Sequence, residues 1–165
     1  MNRLLKDLLI LLTKIVLIAI VFVVLSTFVF GIIRYGEPSM APAIKGGDLV
    51  VFSRHAQSGY QARDAIVLKT GGQWQVRRVV ATAGDHVDIT EDGLLINGAL
   101  QQEPEIFQKT ERYLDGGEFP LVVPEGQVFV LGDNRDGAED SRIYGCVKTD
   151  ETLGKVMTVI RRRGI

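Results

Sequence analysis

The uncharged run from Ile15 to Ile33 constrains this chain more than any other feature. Its roughly 19 residues suffice for a helix to cross a hydrocarbon core. A cleaved export signal would carry an apolar region of roughly 7–15 residues closed by a small-x-small site. Here the run is longer and ends in Phe30-Gly31-Ile32-Ile33-Arg34. We therefore read residues 15–33 as an uncleaved transmembrane anchor, with the lipid bilayer as a partner. Arg3, Lys6 and Lys14 oppose Asp7 before the run, whereas Arg34 is balanced by Glu37 after it. That asymmetry predicts residues 1–14 on the cytoplasmic side of the plasma membrane and residues 34–165 as an extracytoplasmic domain.

With 165 residues, 46% of them apolar, the chain has room for one compact domain besides the anchor. A formal net charge of -1 gives no electrostatic basis for binding nucleic acid. The closing Arg161-Arg162-Arg163 reads as a solvated end. Cys146 is the sole cysteine, so the domain holds together by packing, without an internal disulfide. In Tyr144-Gly145-Cys146-Val147 it reads as a small core residue.

Beyond the anchor, short apolar stretches rich in Val and Ile alternate with glycine-rich turns. Leu49 to Phe52, Ala65 to Leu68, Trp74 to Val80, Val87 to Ile89, Leu94 to Ile96, Val128 to Leu131 and Lys155 to Ile160 read as strands. Gly71-Gly72 and Asp92-Gly93 are hairpin-turn signals. No stretch after the anchor has a convincing 3.6-residue period, so the fold class is mainly β. The polar segment from Gln101 to about Gly117 reads as an inserted loop or small subdomain, available for substrates or partners.

Four stretches carry chemistry. Pro38-Ser39-Met40-Ala41-Pro42 presents a hydroxyl just past the membrane, its backbone restricted by proline on both sides. Serine becomes a nucleophile only when a neighbouring base takes its proton. Gly46-Gly47-Asp48-Leu49-Val50 is a turn entering a strand. Val76-Arg77-Arg78-Val79-Val80-Ala81, followed by Gly84-Asp85, places two arginines side by side, a pattern that usually decorates a surface strand. Gly132-Asp133-Asn134-Arg135, with Asp140-Ser141-Arg142 and Gly145, suggests buried charge-assisted hydrogen bonds that fix a loop.

Taken in order, these stretches resemble type I signal peptidase, the membrane-bound peptidase that removes signal peptides from exported proteins. The resemblance runs from the anchor to the C-terminus. It implies a serine peptidase of the Ser/Lys type on an antiparallel β scaffold, with no metal or cofactor and with exported preproteins as substrates. Ser39 falls on the nucleophile. Gly47 and Asp48 fall on a turn that carries the chain into the sheet. Asp133, Arg135, Asp140, Ser141 and Arg142 fall on a loop that supports the site. The implied reaction forms an acyl-enzyme at Ser39, with backbone N–H groups holding the oxyanion.

The departures concern the base. Bacterial members carry a buried neutral lysine where this chain has Arg77, and a guanidinium is not deprotonated under ordinary conditions. The usual supporting serine of the fourth stretch is Ala138, and the usual proline before the third-stretch Gly-Asp is Ala83. Glu37 stands two residues before the nucleophile, where Gly or Ser is common, and is a candidate base or a partner for Arg77. Histidine serves as base in relatives of the endoplasmic reticulum, but His55 lies in a polar loop and His86 follows Gly84-Asp85. Lys69 is separated from Arg77 by the Gly71-Gly72 turn. Two functions stay open: a signal-peptide endopeptidase, or a signal-peptidase-like protein that binds exported pilus or surface-protein subunits without cutting them.

Overall fold

A computed structural model of the chain describes residues 3–55 and 59–161. Arg162 and Arg163 of the basic end lie outside the described residues. Helix α1 (Arg3–Phe28) is long and apolar enough to span a bilayer, and none of its residues is buried by the rest of the protein. Its span differs from the anchor limits of 15–33 at both ends. The apolar face begins before Lys14, with Leu4, Leu8 and Leu11 already exposed. At the other end Phe30–Arg34 leaves the helix as strand β1 and pairs with a second strand. Gly31 lies under the tip of the Phe52 ring on the facing strand, and a Cβ there would force that buried ring to move.

The domain is antiparallel throughout, in two sheets. The larger contains β1 (Phe30–Arg34), β2 (Leu49–Ser53), β3 (Ala65–Thr70), β4 (Gln73–Thr82), β9 (Gln127–Leu131), β10 (Val147–Lys148) and β11 (Thr152–Ile160). Its strand order is β1-β2-β11-β3-β4-β9-β10. The smaller contains β5 (His86–Thr90), β6 (Gly93–Ile96), β7 (Ala99–Leu100) and β8 (Leu121–Val122), in the order β7-β6-β5-β8. The turn of the β3–β4 hairpin has Gly71 at φ 59° and Gly72 at φ 83°, the positive pair that two-residue hairpins favour.

Each of the seven strands read from the sequence lies within an observed strand. The polar 101–117 segment forms no strand and packs instead around the loop that follows β9.

The first core cluster joins Tyr35, Met40 and Ile44 to Val50, Phe52, Val67 and Val76. The residues flanking Ser39 are thus bolted into the sheet, and Met40 is fully buried. The β-sheet register then sets the height of the site. One row of cross-strand partners runs Phe30, Ser53, Lys155, Ile66, Arg77. Arg77 is therefore level with the residue two positions beyond the end of α1.

Candidate active site

β4 alternates its side chains, so neighbouring Arg77 and Arg78 leave opposite faces of the sheet. Neither is surface decoration. Arg78 forms a two-pronged pair with Asp133, Nε to Oδ1 at 2.7 Å and Nη2 to Oδ2 at 2.6 Å. Arg77 is 1% exposed and points at Ser39, itself 2% exposed. Arg77 Nη1 donates to Ser39 Oγ over 2.8 Å and to the Val76 carbonyl over 2.7 Å. Its Nε donates to the Glu139 carbonyl at 2.8 Å. Nη1 and Nη2 each lie 3.3 Å from Glu37 Oε2.

Ser39 Oγ donates to that same Glu37 oxygen over 3.0 Å and lies 2.7 Å from the Tyr35 hydroxyl. A serine hydroxyl has one proton to give and two lone pairs to offer. The proton goes to Glu37, so Tyr35 must donate, and Arg77 donates beside it. The hydrogen-bonding capacity of Ser39 is filled. Burial pushes the Tyr35 phenol up, against the hydrogen bond to Ser39 and the charge of Arg77, so Tyr35 stays an O–H donor.

Behind Arg77 lies Tyr144, whose buried hydroxyl has no hydrogen-bond partner among the described residues. Burial pushes its pKa upward, outweighing the guanidinium beside it.

The fourth stretch forms the floor. Asp140 is fully buried and caps the short helix α2 (Ser141–Tyr144), accepting from Arg142 N at 3.1 Å. It also takes Arg142 Nε and Nη2, each at 2.9 Å, and Gly132 N at 3.1 Å. Ser141 Oγ accepts from Val130 N at 3.0 Å, which locks α2 onto β9. Arg135 pairs with Glu103, bonds Thr110, and donates to the Gly132 carbonyl at 2.9 Å. Arg142 reaches Arg135 O at 2.6 Å and stacks over Tyr113 at 4.5 Å. Asn134 N donates to Ser39 O at 3.0 Å, the bond that ties this loop to the serine. Ala138 is buried, and its methyl leaves no room for a Cβ at Gly132.

Gly47 N donates to Tyr35 O at 2.7 Å and Tyr35 N to Asp48 O at 2.8 Å, while Asp48 Oδ2 accepts from Lys45 N at 3.0 Å. The Gly47-Asp48 turn therefore grips the backbone of Tyr35.

His55, His86 and Lys69 are exposed, and none is a hydrogen-bond partner of Ser39. Lys69 lies over the Trp74 ring instead. Cys146 packs against the cluster around Phe129, and burial pushes its thiol up, away from the reactive thiolate. Tyr35 is the residue that motif reading missed, because it falls between the anchor and the Ser39 stretch.

An apolar helix leading into an antiparallel β domain, with a serine and a basic strand residue facing one another, defines a membrane-anchored protein of serine-peptidase type. Residues 8–160 match the family model described as "Signal peptidase, peptidase S26". Signal peptidase I of Bacillus caldolyticus is 34% identical over 145 residues, covering 80% of this chain and 80% of that protein. Signal peptidase IB of Staphylococcus aureus (strain Mu50 / ATCC 700699) is 31% identical over 166 residues, with coverages of 88% and 87%. The crystal structure of a signal peptidase I from Enterococcus faecalis V583 superposes with a TM-score of 0.50 at 31% identity. That match covers 61% of this chain and 98% of the solved one. The chain belongs to the signal peptidase, peptidase S26, family.

Proposed function

We propose that this protein engages the signal peptides of exported preproteins at the outer face of the plasma membrane, and that hydrolysis at Ser39 is arrested. The observation that carries this reading is the saturated serine. Both lone pairs of Ser39 Oγ are held, by Arg77 and Tyr35, and its proton faces a carboxylate already paired with the guanidinium. Attack on a carbonyl needs one of those lone pairs, and Arg77 cannot accept the proton. A member that holds preproteins without cutting them would serve exported subunits during assembly, pilus or surface-protein subunits among them.

Arg77 and Glu37 form a matched pair, which makes the reading testable. An opposite charge beside a lysine favours its charged form. Arg77→Lys alone should therefore leave a protonated, inactive amine beside Glu37. Removing the carboxylate as well, in Glu37→Gly with Arg77→Lys, should free that amine to act as base.

The experiment is cleavage of a matched preprotein in lipid by the parent, Ser39→Ala, Arg77→Lys and the double variant. We expect the parent and Ser39→Ala to bind and not cut, and the double variant to cut at least about 100-fold faster than Arg77→Lys. Cleavage by the parent that Ser39→Ala abolishes would overturn the arrest.

One observation favours a second reading, an active signal-peptide endopeptidase with Glu37 as base: the Ser39 O–H is aimed at Glu37 Oε2. Under that reading Glu37→Gln abolishes the parent's cleavage.

A further inference from the structure

The Gly47-Asp48 turn and the serine are linked through a residue that belongs to neither motif. Tyr35 directly follows β1, and both of its backbone groups are taken by the turn, the N–H by Asp48 O and the carbonyl by Gly47 N. Gly47 reaches that carbonyl with φ +98°, a conformation in which a side chain would be strained. The ring is 1% exposed and packs among Met40, Ile44, Val50 and Phe52. The phenol thus leaves the core at a fixed point, 2.7 Å from Ser39 Oγ.

We propose that Tyr35 is a positioning residue for Ser39: its phenol, together with Arg77, turns the serine O–H onto Glu37 and withholds a lone pair from an incoming electrophile. Neutralisation of Glu37 by Arg77 acts on the proton, whereas Tyr35 acts on the lone pair. The Gly47-Asp48 turn then has a function beyond chain reversal, because it aims the phenol. This inference rests on the reading that Ser39 is the reactive hydroxyl.

The test uses the full chain in lipid nanodiscs and a fluorophosphonate probe, followed by intact-protein mass. In the labelling step the Ser39 Oγ–P bond forms, the P–F bond breaks, fluoride leaves, and the serine proton passes to water. Parent, Tyr35→Phe and Ser39→Ala are compared, with thermal midpoints recorded for each. Tyr35→Phe keeps the ring and removes only the donor. It should label roughly fivefold to tenfold faster than the parent, the factor expected for releasing one neutral hydrogen bond, and Ser39→Ala should not label.

A merely structural Tyr35 would move the thermal midpoint and leave the labelling rate alone. Labelling of Tyr35→Phe within twofold of the parent, slower than the parent, or absent, overturns the proposal. Failure of the arrested-hydrolysis reading is seen separately, as preprotein cleavage by the parent, and does not alter the ratio of labelling rates.

Discussion

Asp140 shows how much one buried side chain can organise. Its two oxygens take four N–H groups from Gly132 and Arg142, and neither partner of the Asp140–Arg142 pair reaches solvent beyond 2% exposure. Breaking a buried pair leaves an uncompensated charge and costs about 3–5 kcal/mol. Asp140→Asn should therefore lower stability by roughly that amount in denaturant unfolding of the detergent-solubilised chain. Probe labelling of Ser39 in the surviving folded fraction should change far less. At this scale much of the site was legible. Ser39 was marked by its prolines, Arg77 by its place in the third stretch, and Glu37 by its proximity. Tyr35 was not legible, because its contact with Ser39 depends on a turn closed ten residues later at Lys45–Asp48. Nor did the sequence reveal that Arg78 would find Asp133, since only the register of β4 against β9 brings them together.

Among elements, long strands with Val and Ile were readable, and β7, β8 and β10 were not, because two residues carry no period. β1 was hidden for another reason. Its sequence continues the apolar run of α1 without a break, and only pairing with β2 distinguishes strand from helix. The turn between β4 and β5 offers a test of local electrostatics. Burial raises the Asp85 carboxyl, but hydrogen bonds from Thr82 and Asn97 outweigh it and hold the carboxyl below its ordinary value. A depressed carboxyl stabilises the fold above its unfolded pKa and loses that contribution as pH falls through the folded one. Asp85→Asn should cost on the order of 1 kcal/mol near neutral pH. The gap to the parent should narrow once pH drops below about 4, measured as paired unfolding curves across pH.

At the scale of the whole molecule, the apolar helix and the β domain divide the chain between lipid and water. Leu114 stands fully exposed on the polar segment that braces Arg135 and Arg142, and Leu4 lies near the start of α1. With Cys146 replaced by serine, Leu114→Cys should react with a membrane-impermeant maleimide on intact cells. Leu4→Cys should react only after permeabilisation. The reverse pattern would invert the orientation that the flanking charges favour.

The row from Phe30 to Arg77 gives this arrangement a further property. Ser39 is suspended from the bilayer by hydrogen-bonded rungs, where a flexible tether would have let it wander. Under the proposed function the molecule is in effect a depth gauge, examining whatever part of a guest chain emerges at one height. A preprotein whose apolar segment ends three residues early offers that height a stretch displaced by about 10 Å, whatever side chains it carries.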